Sequence, residues 1–100
     1  MGIAQSAQQN WPEANRAFSA AVQGSPDNPQ IHFNYGVALE KQGDWNNAVL
    51  QFQSVILLRP SEVQARCQLA EALSHAGQQE RAQAELQSAR ELGSCDAVTP

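Results

Sequence analysis

Apolar positions along the chain recur at helical spacing and in blocks of similar layout. Between Pro29 and Gln42, Ile31, Tyr35, Ala38 and Leu39 share one helical face. The next block places Trp45, Ala48, Phe52, Val55 and Ile56 on one face. Two further blocks do the same with Leu69, Ala72, Leu73 and Ala76, and with Ala82, Leu86, Ala89 and Leu92. Punctuation falls near Gln9–Asn10, Ser25–Asn28, Gly43–Asp44, Pro60–Ser61 and Gly77–Gln78, which predicts six helices in three antiparallel hairpins. Asn28 is an expected N-cap with Pro29 in the first turn, and Gly43 ends that helix before Asp44 caps the next. Asn10 with Glu13 and Ser61 with Gln64 have the spacing of capping boxes.

The blocks repeat. Trp11 and Trp45, Ala14 and Ala48, Phe18 and Phe52, and Pro26 and Pro60 are each separated by 34 residues. The same step carries Gly2 to Gly36 and Ala70, Ala48 to Ala82, and Phe52 to Leu86, while Pro60 falls on Ser94, where the pattern lapses. A period of this size means one helical hairpin stacked on copies of itself. The units run over about 1–28, 29–62 and 63–94, the first lacking its opening residues, with 95–100 as a flexible tail. Small residues at Gly2, Gly36 and Ala70, and at Ala14, Ala48 and Ala82, let helices cross closely beside large neighbours.

The middle unit's second helix is apolar on more than one face, as an internal element should be, whereas the last helix is polar and suits a terminus. Composition agrees with an all-α fold, Ala and Gln being common and aromatic residues only 6%. A net charge of −4 with scattered basic residues argues against nucleic acid. No run is long and apolar enough to span a membrane. The N-terminus lacks the pattern of a signal peptide, which favours a cytoplasmic site. Its first helix is short, which favours a segment of a longer protein. Cys67 and Cys95 permit a disulfide without requiring one.

These positions resemble the tetratricopeptide repeat family. The middle unit matches its pattern at His32 (where the family has Trp), Tyr35, Gly36, Leu39, Ala48, Phe52 and Pro60. The first unit keeps Gly2, Ala14, Phe18 and Pro26, and the third has Leu69, Ala70, Leu73, Ala82 and Leu86. The resemblance implies a right-handed all-α solenoid whose first helices line a concave, peptide-binding groove. In this chain that groove would present Phe33, Asn34, Val37, Glu40 and Lys41, then Gln64, Cys67, Gln68, Glu71, Ser74 and His75. Phe33 and Val37 are the expected exposed apolar anchors. Some members hold C-terminal carboxylates with paired Lys, Asn and Arg. Only Asn34 of that set stands here, with Gln64 and Gln68 where cations are needed, so a carboxylate would be poorly compensated.

Catalysis or a metal would need convergent side chains. Cys67, Glu71 and His75 share one helical face, but Cys67 and His75 are two turns apart, about 12 Å of rise, too far to hydrogen-bond. His32 reads as a partly buried packing residue, and Gly43 and Gly77 as turn glycines without a phosphate-loop pattern. The expectation is therefore a non-catalytic scaffold for a protein or peptide partner, with no cofactor and no metal. Two alternatives stay open: self-assembly into homo-oligomers through exposed repeat ends, and a recognition extension of an enzyme.

Overall fold

The computed structural model describes residues 11–93, which form five helices: α1 Trp11–Gly24, α2 Pro29–Lys41, α3 Trp45–Leu58, α4 Val63–His75 and α5 Gln79–Leu92. No strand occurs among the described residues. Helices α2 and α3 form one antiparallel hairpin and α4 and α5 the next. Helix α4 seats on α3, and α1 packs on α2. The predicted first helix, Asn10 of the capping box expected for α1, Gly2 and the tail lie outside the described residues. The other breaks fall where the sequence places them.

Gly43 and Gly77 adopt φ of 79° and 87°. At each, the residue beyond the glycine reaches back across the helix end: Asp44 N donates to Leu39 O at 2.9 Å, and Gln78 N to Leu73 O at 2.8 Å. This left-handed closure satisfies carbonyls that would otherwise be orphaned, and glycine adopts it without strain. Asn28 caps α2 as expected, its Oδ1 accepting from Gln30 N at 3.0 Å. Two expected caps do not form. Asp44 accepts instead from the Asn47 side chain at 2.8 Å. Ser61 stands outside α4, which begins at Val63 with no side-chain cap.

Leu39, Ala48, Val49, Phe52, Leu69, Ala72, Leu73 and Ala82 make one core cluster spanning both hairpins. Gly36 crosses α3 so closely that a Cβ there would stand 2.8 Å from Phe52 Cε1, which is why the crossing takes glycine. Helix α1 buries no residue fully, but Phe18 stacks on Tyr35 at 5.4 Å. Asn15 and Gln42 exchange two amide bonds at 2.9 Å, tying α1 to the end of α2.

Three apolar expectations need correction. Trp45 is half-buried, Leu92 is exposed, and α3 leaves Leu50 and Leu57 in solvent although it is internal.

Candidate interaction groove

The loops entering α2 and α4 are closed by one device used twice. The His32 imidazole is buried, with Nε2 donating to Pro26 O at 2.8 Å and Nδ1 2.8 Å from Gln51 Oε1. One repeat on, Arg66 donates to Pro60 O from Nη2 at 2.8 Å and from Nε at 3.0 Å, and reaches Glu85 from Nη1 at 3.2 Å. The two equivalent prolines thus share the task of accepting from an equivalent side chain, which is in turn tied to the following helix. The family resemblance, which sets His32 at a Trp position, marked it as a packing residue; the matching role of Arg66 carries no signal in an apolar pattern.

Helices α4 and α5 enclose a groove of about 500 Å³. Helix α4 contributes all six residues expected of the third unit: Gln64, Cys67, Gln68, Glu71, Ser74 and His75. Helix α5 contributes Gln79, Ala82, Gln83 and Leu86, with Ala70 between the helices. The sequence did not place these α5 residues at the site, because Ala82 and Leu86 read as core and Gln79 and Gln83 as the solvated face of a terminal helix.

The second-unit residues do not join that groove. Phe33 is half-buried and packs on the core, its ring edge-to-face with Phe52 at 5.6 Å. Val37 packs on the core as well. Neither is the exposed anchor expected from the sequence. Phe33 instead borders a small cavity of about 90 Å³ where the start of α4 meets α2 and α3. Asn34 and Lys41 are exposed, and the Asn34 side chain accepts from Gln30 Nε2 at 3.0 Å.

The repeat explains the split. Phe33, Val37, Trp45, Val49 and Phe52 stand one step before Cys67, Glu71, Gln79, Gln83 and Leu86. The earlier set is covered because α4 lies on that hairpin. The later set forms the equivalent surface of the last hairpin, more polar and with no further described helix lying on it. Both sets lie on one face of the repeat, and stacking decides which is buried.

The groove's polar groups have defined states. Gln79 Nε2 donates to Ser74 O at 3.1 Å and to Ser74 Oγ at 3.2 Å, closing one end. The His75 ring stacks on Trp45, centroids 4.0 Å apart and planes 11° from parallel, joining the two hairpins. Glu40 is half-buried, and its Oε2 is buried without a hydrogen-bond partner. Burial, and secondarily the negative charge of Glu71, push the Glu40 carboxyl up to about 7. Cys67 is disulfide-bonded and presents no thiolate. Among the described residues, no group of three His, Cys, Asp or Glu side chains is placed to hold a metal ion. No helix among them is long and apolar enough to cross a membrane.

A family model described as tetratricopeptide repeat matches residues 1–62 and again 38–96. The fold is similar to the solved structure titled MamA MSR-1 C2, with a TM-score of 0.77 and 27% identity over 84% of this chain and 48% of that one. It is similar also to MamA AMB-1 C2221, with a TM-score of 0.78 and 27% identity over 84% and 49% of the two chains. A third structure, titled crystal structure of MamA protein, shares the fold at 18% identity and a TM-score of 0.74, over 79% of this chain and 43% of that one. The chain thus spans about half the length of the structures it matches. A search of curated proteins returns no match. With the 34-residue register, stacked hairpins and a family model over most of its length, this chain belongs to the tetratricopeptide repeat family, a family of protein-interaction scaffolds.

Proposed function

We propose that the chain is a non-catalytic scaffold that receives one helical segment of a partner protein in the groove between α4 and α5. One observation carries the reading. This groove, of about 500 Å³, is the repeat equivalent of the surface on which the preceding hairpin seats α4, and no further described helix lies on it. A helix that lays an apolar edge on the part-exposed Leu86 would bury it as α4 buries Phe52 one repeat earlier. Gln68, Gln79 and Gln83 at the rim would accept its polar flank. Glu71 borders the groove and Glu40 stands near it, so a Lys or Arg in the bound segment is favoured there.

Because α4 fits the equivalent surface, a labelled peptide of residues 62–76 is the natural probe, read by fluorescence anisotropy. Gln83→Arg, at an exposed groove position, should weaken its binding about tenfold or more. Equal binding by both proteins would set this reading aside. End-to-end stacking of copies through the same groove would instead appear as a mass that rises with concentration and falls with Gln83→Arg.

A further inference from the structure

Cys67 lines the α4–α5 groove and is held in a disulfide. The chain has two cysteines, and the other, Cys95, lies outside the described residues. Two observations on described residues point to that pair. Gly93, just past α5, lies against the start of α4, where a Cβ on it would stand 3.3 Å from Val63 Cγ2. Val63 is one helical turn, about 6 Å of rise, before Cys67, and two residues beyond Gly93 reach at most about 7 Å. The repeat register points the same way. One period of 34 residues earlier, Cys67 and Cys95 correspond to Phe33 and Ser61. Phe33 borders a cavity whose other walls include Arg59 and Glu62, the residues on either side of Pro60 and Ser61. The loop leaving α3 thus passes the side chain that stands where Cys67 stands one repeat later.

We propose that Cys67 and Cys95 form a redox gate on the groove, closed when they are bonded to each other and open when they are reduced. The gate rests on the reading of the groove as a seat for a helix. Register gives the reason for closure. The five residues from Asp96 to Pro100 correspond to Glu62 to Arg66, which cap and open α4 on the preceding hairpin. A bond at Cys67 keeps them at the place that the first turn of an incoming helix must take. Opening needs a dithiol reductant. One of its thiolates attacks a sulfur of the bond, and its second thiol resolves the mixed disulfide. Two electrons and two protons pass to Cys67 and Cys95, which become thiols, and the reductant leaves as its own disulfide. Cys67 is half-buried at the groove surface, so its sulfur is not sealed in the core.

The experiment is fluorescence anisotropy with a labelled peptide of residues 62–76 that carries Cys67→Ser, so that the probe has no thiol. Three proteins are compared: the air-oxidised parent, the parent reduced with dithiothreitol, and the double variant Cys67→Ser with Cys95→Ser. Mass after alkylation assigns the thiol state of each. The reduced parent and the double variant should bind about tenfold more tightly than the oxidised parent, all with the same helical circular dichroism. Dithiothreitol should leave the double variant unchanged. Equal or weaker binding by the reduced parent overturns the gate and leaves the groove standing. So does a loss of helical signal on reduction, which would make the bond a structural clasp. An air-oxidised parent with two free thiols overturns the pairing. No binding in any state removes the groove reading and the gate with it.

Discussion

His32 and Arg66 stand one repeat apart and make the same connection, each donating to the carbonyl of the loop proline six residues before it, at 2.8 Å. Each is also tied to the following helix, at Gln51 and at Glu85. Two chemically different side chains thus serve one structural position, which requires a long donor that can bridge loop and helix.

Removing either donor should leave a carbonyl and a helix partner less well satisfied. His32→Ala is expected to cost about 1–3 kcal/mol, because His32 is buried, and Arg66→Ala about 0.5–2 kcal/mol. The paired change His32→Arg with Gln51→Glu transplants the third unit's arrangement and should recover part of the loss. Urea melts would measure all three. Losses within about 0.3 kcal/mol of zero for both single changes would deny the bridges a structural role.

Gly36 and Phe52 should be energetically coupled. Gly36→Ala puts a Cβ 2.8 Å from the Phe52 ring and should destabilise by about 1–3 kcal/mol despite alanine's higher helix propensity. Phe52→Ala should cost about 3–5 kcal/mol by opening a cavity. The third unit holds Ala70 and Leu86 at these positions, so Gly36→Ala with Phe52→Leu should cost less than its two parts added. Strict additivity in a double-mutant cycle would show that the close approach does not govern the crossing.

Glu40 gives a pH dependence whose direction is fixed. Its folded-state value is raised from 4.5 to about 7, so between those values the folded chain keeps a proton that the unfolded chain gives up. Its favourable contribution is full below about pH 4.5 and is lost as pH rises through 7. Glu40→Gln removes the charge and should raise stability above pH 7 by about 1–3 kcal/mol, with little effect near pH 4.5. Parallel melts at pH 4.5 and 8 check it; an equal effect at both would mean that the carboxylate charge is not the cause.

The 34-residue register made the hairpins legible because helix breaks and small-residue crossings leave signals within each unit. Gly43, Gly77 and Gly36 were each readable from one unit alone. Asp44 and Ser61 misled because a short polar side chain marks a helix start without fixing its partner, and Asp44 takes Asn47 instead. Phe33 misled for a longer-range reason. Periodicity shows that it points away from its own hairpin's main stripe, but the next repeat decides whether that side is covered. Leu50 and Leu57 are the opposite case, apolar residues on an internal helix that the stack leaves outside. The third unit's groove residues were legible through the family resemblance, whereas Leu86 was hidden in a stripe that reads as core and Gln79 and Gln83 on a helix that reads as a solvated end.

The most direct measurement is amide chemical-shift mapping of the full chain titrated with the peptide of residues 62–76. The predicted result is perturbation concentrated at Gln68, Glu71, Gln83 and Leu86, saturating with added peptide and abolished by Gln83→Arg, while Leu50 and Leu57 stay unmoved. Perturbation centred instead on Asn34 and Lys41, or none at millimolar peptide, would contradict a helix-receiving groove between α4 and α5.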